Sequence, residues 1–458
     1  MKRKLLLALT LSMLLAGCTD AGSLEETMIA PEENVKITEE SSGLSGAEEG
    51  DVEKVNEERT EGEMTELKAE EQSGIDPITL DNAYQRAAFL ADQVYQANGS
   101  NTLVSPLSLE MALGLAAEGA SGETAEQLYK YLGDENYADW VKDYMSFAQS
   151  LRSEKKEAPE DSEESWYYDS KYSFCYEIAN SIWVREGDQL AKEYREVAED
   201  KFQAEAANVD FEREPKATAD RINSWCKERT HEMIPEIVSP EMFTNELQAI
   251  LMNTVYFESP WRDKWGLREH EFTGLSGETT TQEMLADTLN VYYENENCTA
   301  FGKSYYNGFE FIGILPKQEG DFSISGLDLK SLLDSRNTEY DVKAIAPKLD
   351  FDSTASNIVE ILKAQGLTKM FDVEFAEFDR LVEGQELHVS NILQKCKLEL
   401  DEEGTRAAAV TAMMMATNSI SVEKERKVKE VYLDRPFAFL IYDNTNDQIV
   451  FVGKVTEL

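Results

Sequence analysis

Between Thr405 and Ile420 the chain reads TRAAAVTAMMMATNSI, sixteen residues with one charge, Arg406, in a sequence where 29% of residues are charged. Glu402, Glu403 and Gly404 precede it, and a charged run at 423–430 follows. Alanine and methionine are good helix formers, so composition alone fits a buried helix. It fits equally a segment kept small and neutral because it must pass into a confined place. Whatever fold the chain adopts has to accommodate this neutral stretch between two strongly charged flanks.

The first eighteen residues, MKRKLLLALTLSMLLAGC, set the compartment. Lys2, Arg3 and Lys4 form a basic start and residues 5–15 an apolar run too short to span a bilayer, which together read as a signal peptide over 1–17. Leu15, Ala16, Gly17 and Cys18 resemble a bacterial lipobox, which implies cleavage before Cys18 and lipidation of its thiol. Residues 19–79 hold nineteen acids against four bases and no aromatic or further cysteine. Such a segment cannot bury enough apolar surface to offset its chain entropy, so 18–79 is expected to be a disordered, self-repelling tether. Export to the bacterial cell envelope, facing outward, with membrane contact only through the anchor, is the expectation.

Most of the net charge of −45 remains in the body, 80–458. An acidic body argues against nucleic acid, polyanionic cofactors and anionic lipid surfaces. Besides Cys18 there are four cysteines, Cys175, Cys226, Cys298 and Cys396, more than fifty residues apart and without CxxC. Two bridges are possible, but the size suffices for a core without them, and the four read as buried thiols.

Helical spacing of apolar residues predicts a helix over 80–97 with Asp81 as its cap. A strand follows at 101–104, then a helix opened by Ser105 and Pro106 and apolar almost all round to 118, which places it in the middle of the molecule. Another helix runs from 124 to 132, and 152–171 reads as an acidic surface insertion. YEIANSIWV (176–184), QAILMNTVYF, FEFIGILPK and AIAPKLDFD read as strands, and FAFLIYDNTNDQIVFVGKV as a terminal hairpin about 444–446. Helices dominate early and strands late without βαβ alternation, which is α+β architecture with mainly antiparallel sheets.

No catalytic constellation emerges. The three histidines, His231, His270 and His388, lie far apart without HExxH or HxH spacing and read as surface or cap residues rather than metal ligands. Two GLSG stretches lack the last glycine of a nucleophile elbow, since Ala47 and Glu278 stand there. P-loop and GxGxxG patterns are missing as well. A non-enzymatic protein without catalytic residues, metal or cofactor is the expectation.

Several stretches resemble one family, the serpins. NTLVSPLSLEMALGLAAEGASGETAEQL is similar to their central helix and its flanks, and NVDF with INSWCKERTHEMIPEIV to a later helix and turn. LMNTVYFESPWRDKW, LDEEGTRAAAVTA and DRPFAFLIYDNTNDQIVFVGKV resemble the central strand, the hinge and the closing strands. The matches run in order from about 80 to 458. The resemblance implies three mainly antiparallel β-sheets, eight or nine helices and an exposed reactive-centre loop, here about 402–426. It implies suicide inhibition of serine, or alternatively cysteine, endopeptidases: the loop is cut, the protease is held as an acyl-enzyme, and the loop enters the large sheet as a new strand. The alternative activity is a non-inhibitory member that serves as a surface binding or scaffold protein.

A loop that later becomes a central strand needs small side chains, no proline and no inward charge. Counted as a strand pointing inward at Thr405, the inward set is Thr405, Ala407, Ala409, Thr411, Met413 and Met415, all neutral, while Arg406 points outward. The resemblance makes Glu402, Glu403, Gly404, Thr405, Arg406, Ala407, Ala408, Ala409, Val410, Thr411 and Ala412 the hinge. It places the scissile bond between Asn418 and Ser419, with Met415, Ala416, Thr417 and Ile420 as alternatives. That small, apolar window suits elastase-like or subtilisin-like proteases. Asn253 matches the family's central-sheet asparagine, Trp261 the tryptophan beneath the loop's mouth, and Ser105 and Pro106 the turn under the sheet's opening. Gln394 stands where many members have a histidine, and its amide can both donate and accept. The acidic insertion predicts no heparin response, and a monomer is expected.

Overall fold

The computed structural model describes residues 82–133, 137, 140–142, 175–305, 308–384, 386–405 and 426–458. Cys18, the leader, the acidic tract, 152–171 and positions Arg406, Ala407, Ala408, Ala409, Val410, Thr411, Ala412, Met415, Ala416, Thr417, Asn418, Ser419 and Ile420 lie outside them.

Helix α1 (Ala83–Asn98) begins where the Asn82 side chain accepts a hydrogen bond from the Gln85 amide at 3.0 Å, so the capping role expected of Asp81 falls to Asn82. It ends on Gly99, whose φ of +63° closes the last turn through a bond from its N–H to the Tyr95 carbonyl. Strand β1 (Thr102–Val104) leads into α2 (Pro106–Gly119), capped by Ser105 with Pro106 in its first turn. Nearly every α2 side chain is buried, as its unbroken apolar circumference requires. Next come α3 (Gly122–Leu132), β2 (Cys175–Arg185), α4 (Lys192–Val197), β3 (Glu205–Val209) and α5 (Pro215–Arg229).

A run of strands follows: β4 (Ala249–Pro260), β5 (Gly266–Thr273), β6 (Thr279–Leu289), β7 (Val291–Glu294), β8 (Cys298–Ser304) and β9 (Phe309–Pro316). Helix α6 (Leu329–Asp334) precedes β10 (Tyr340–Ala346) and β11 (Leu349–Ala355). AIAPKLDFD therefore splits at Pro347, which cannot donate to a ladder, and its halves serve different sheets. Helix α7 (Ile358–Ala364), β12 (Val389–Leu400), β13 (Gly404–Thr405), β14 (Lys427–Tyr432), β15 (Phe437–Asp443) and β16 (Gln448–Val455) complete the order.

Three sheets result. One has the order β1-β16-β15-β9-β8-β7, a second β14-β10-β6-β5, and the central sheet β11-β12-β13-β4-β2-β3. Pairing is antiparallel except at β2–β3, β4–β12 and β10–β14. The central sheet is covered on both faces. Leu251, Val255 and Phe257 join the core that contains α2, while Ile250, Met252 and Leu393 pack with Ile222, Trp225 and Cys226 of α5. Strand β4 is accordingly buried along almost its whole length.

Candidate functional site

The central sheet has a seam between β12 and β4, and its two halves differ. In the lower half the strands pair directly and in parallel, from Val389 opposite Ala249 to Cys396 opposite Val255. At the upper end they part around β13, where Thr405 pairs with Leu400 on one side and Ser259 on the other, and Gly404 with Pro260. The beginning of the neutral segment is already a strand of the sheet.

Local chemistry holds it there. The Asp401 carboxylate accepts from the Glu403 and Gly404 amides at 2.8 and 3.1 Å, which turns the chain back on β12. Trp261 donates its ring N–H to the Asp401 carbonyl at 2.8 Å and its backbone N–H to the Glu403 carbonyl at 3.0 Å, and its ring stacks on Tyr305 at 4.2 Å. Lys348 pairs with Glu402 at 2.7 Å and Lys264 with Glu403. Gly404 must be glycine, because a Cβ there would meet the Ser259 carbonyl oxygen and lie 2.8 Å from the Pro260 Cα. Thr405 points inward, is 1% exposed, and its hydroxyl hydrogen-bonds the Tyr305 hydroxyl at 2.6 Å. Burial pushes the Tyr305 phenol well above its ordinary pKa, so it remains a neutral partner.

Below the mouth, a buried polar row crosses three strands. Gln394, Asn253 and Asn180 stand opposite one another on β12, β4 and β2. The Gln394 amide donates to the Asn253 carbonyl oxygen at 3.1 Å and to the Ser105 carbonyl at 2.9 Å, and its own oxygen accepts from the Ser105 amide at 2.9 Å. Asn253 donates to the Ser108 carbonyl at 2.9 Å and to the Asn180 side-chain oxygen at 2.6 Å, while the Ser108 hydroxyl donates to Asn253. The row joins the sheet to the first turn of α2, where Pro106 leaves no N–H to satisfy.

The structure thus brings Ser105, Asn253 and Gln394 into one network and Glu402, Glu403, Gly404, Thr405 and Trp261 into another. Asn180, Ser108, Tyr305, Asp401, Lys264 and Lys348 complete these networks and were not singled out in the sequence. An alternating strand such as YEIANSIWV offers a hint for Asn180, since its inward phase contains one polar residue. The other partners have no local signal.

Two expectations need correction. His388 is not a surface residue: it is 9% exposed, and burial, reinforced by Arg185, holds its pKa below the usual value. Of the four cysteines, Cys226, Cys298 and Cys396 are buried, with burial pushing the first two thiols up to about 12. Cys175 is only partly buried and lies 3.8 Å from the His231 ring nitrogen. None of the four forms a disulfide.

A three-sheet α+β body whose large sheet already holds the first residues of a long neutral segment defines a class of protein. The pattern of the serpin (serine protease inhibitor) family matches residues 82–458. The chain belongs to the serpin family, whose members are generally protease inhibitors rather than enzymes. An uncharacterized serpin-like protein of Thermococcus kodakarensis is 30% identical over 387 residues, 82% of this chain and 84% of its own. The thermophilic serpin tengpin in its native state superposes with a TM-score of 0.67 at 28% identity, covering 84% of this chain and 96% of tengpin. Serpin48 of the insect Tenebrio molitor gives 0.69 at 25% identity, covering 82% and 97%.

Proposed function

We propose that this serpin is inhibitory, trapping a serine endopeptidase as an acyl-enzyme when its cut loop continues the path that Gly404 and Thr405 begin. The observation that carries the reading is β13 seated between β12 and β4 above a seam they close directly. Strand addition of this kind has serpins among its standing examples.

Both flanking registers, extended downward, agree. Thr405 opposite Ser259 leads to Thr411 opposite Asn253, and Thr405 opposite Leu400 leads to Thr411 opposite Gln394. In the cleaved chain the Thr411 hydroxyl would therefore enter the amide row between the two side chains that now bond each other, and it can both donate and accept. Arg406, on the outward face, would lie between Glu258 and Glu399. Arg406 and Thr411 would thus each meet a suitable partner in the register that Thr405 already sets, with Ala407, Ala409, Met413 and Met415 on the same face as Thr405.

The cleavage window at 415–420, with Asn418–Ser419 favoured, suits elastase-like or subtilisin-like proteases through its small uncharged side chains. The leader and acidic tract support an exported protein anchored through a lipidated Cys18 and acting at the surface of a bacterial envelope. Incubating the chain with elastase and with subtilisin tests the inhibitory reading. A covalent complex that survives SDS, together with a nicked chain that melts higher than the intact one, is expected. Turnover of the serpin without a complex, or a nicked chain that melts no higher, overturns it. Fragment masses then give the bond, and radiolabelled palmitate incorporation lost in Cys18→Ser tests the anchor.

A further inference from the structure

Away from the seam, three side chains of metal-ligating type converge on the outward face of the central sheet. Cys175 and Glu177 lie two residues apart on β2 and so point the same way. His231 reaches them from the turn after α5. The Cys175 Sγ is 3.8 Å from His231 Nε2, that nitrogen is 3.4 Å from Glu177 Oε2, and all three ligand atoms lie within 4.8 Å of one another.

We infer that Cys175, Glu177 and His231 form a binding site for a zinc-class divalent cation. Tetrahedral coordination at ordinary zinc bond lengths separates sulfur from nitrogen by about 3.6 Å and nitrogen from carboxylate oxygen by about 3.4 Å. Two edges of the tetrahedron are present to within 0.2 Å, and the third needs only a side-chain adjustment. Among the described residues the cluster supplies three ligands, and water can complete the tetrahedron. Thiolate, imidazole and carboxylate together favour zinc and its neighbours over magnesium or calcium, which take oxygen alone. On binding, the Cys175 thiol gives its proton to solvent as the sulfur–metal bond forms.

The surroundings fit. Arg229 contacts Glu177 through Oε1 at 3.4 Å, leaving Oε2 turned to the histidine. Glu258, opposite Cys175 on β4, adds negative potential on the same face. The His231 ring lies on Tyr256 at 4.5 Å, which fixes its direction. His231 and Glu232 both have left-handed backbone, φ of +48° and +69°, although neither is glycine. Such geometry is strained for residues with a side chain and concentrates at functional sites. Here it aims the imidazole back over β2. An ion would tie the end of α5, which covers the sheet, to the strand beneath it.

Cobalt(II) titration of the full chain carrying Cys18→Ser reads the site, since cobalt takes zinc's place and reports its ligands. One equivalent should bind with thiolate-to-cobalt charge-transfer absorption and the intense visible bands of a tetrahedral ion, and zinc should displace it. Cys175→Ser should abolish the charge-transfer band, and His231→Ala and Glu177→Gln should each weaken binding at least about tenfold. In the unsubstituted chain, zinc should slow alkylation at Cys175, located by peptide mass, because the metal-bound sulfur is no longer the free nucleophile. Cobalt spectra without a thiolate band, affinity unchanged by Cys175→Ser, or alkylation indifferent to zinc would overturn the assignment. None of these readouts involves a protease, so failure here leaves the inhibitory reading standing and the reverse also holds.

Discussion

The seam between β12 and β4 and the hairpin of β15 and β16 are both buried ladders, yet they are built from opposite chemistry. In the hairpin, Phe437, Phe439, Ile441, Val450 and Val452 are fully buried, the Phe439 ring lies against Gly453, and Phe311 stacks on it at 5.4 Å. Parting those strands would expose the apolar side chains that the ladder now keeps from water. The seam instead carries Gln394 and Asn253 at its middle, and its backbone bonds can be re-formed with another strand of suitable phase. A ladder held by exchangeable hydrogen bonds can open for a new strand without losing them, whereas one held by interlocked rings cannot. On the inhibitory reading, the capacity for change is confined to the first kind.

The sharpest way to test that division is to damage the rigid side. Phe439→Ala removes a fully buried ring that touches Phe311 and Phe437, and should cost about 3–5 kcal/mol of stability. Denaturant unfolding of the intact chain would show it. The rise in melting temperature on nicking should persist in the folded fraction, because the seam is untouched. Abolition of that rise would mean the two ladders are not independent.

Thr405→Arg attacks the other side. Thr405 has its inward side chain in the core beside Tyr305, so a guanidinium there has neither space nor counter-charge. The lower seam remains paired, and the chain should stay folded. The fraction of protease captured should fall by more than about tenfold, which needs only about 1.4 kcal/mol against insertion. Gel quantification of complex against cleaved product measures it, and unaltered capture would disconnect the seated hinge from the trapping step.

Asn253→Ala is expected to be milder. It removes the partner of one Gln394 amide hydrogen, of the Asn180 side-chain oxygen and of the Ser108 hydroxyl, and should cost about 1–3 kcal/mol, as buried groups left without partners do. The loss should show in the intact chain and shrink after nicking, when Thr411 supplies a hydroxyl to the row. Equal losses in both forms would argue against the shared register.

How much of this was legible in the sequence follows the same physics. Residue 405 reveals its inward phase because alternation and side-chain size are local properties, and Arg406 marks the other face. The apolar circumference of α2 likewise announces a central helix without reference to anything else. Asn180 left only a hint, one polar residue in the apolar phase of its strand, and only the pairing with β4 sets it beside Asn253. Tyr305 lies a hundred residues from Thr405, and His231 fifty-six from Cys175. Such meetings depend on register and on the path of α5 across the sheet, neither of which composition encodes. The cap of α1 was missed by one residue for a smaller reason: Asp81 and Asn82 are both good caps, and only the backbone decides between them.

The smallest expected effect separates the two ends of the seam by pH. Lys348, 2.7 Å away, holds the Glu402 carboxyl below the usual range, helped by a backbone hydrogen bond. A depressed carboxylate pKa contributes stability above the ordinary value and loses it as pH falls through the folded one, so acid should loosen the turn that seats β13. Both side chains are about one-third exposed, which limits the effect to less than about 1 kcal/mol and makes it sensitive to salt. The amide row has nothing to titrate, because Gln394 keeps its bonds at any pH compatible with folding. Acidification from neutral pH should therefore lower the protection factors of the Gly404 and Thr405 amides, once the intrinsic slowing of exchange in acid is divided out, while leaving those of 392–396 unchanged, and Glu402→Gln should flatten the first response without altering the second. If protection falls together along both halves, the seam opens as one unit and its mouth has no separate equilibrium. A fall confined to the mouth and removed by Glu402→Gln would show that the seating of the first strand residues is governed by the Glu402–Lys348 ion pair, and the rest by the buried row beneath it.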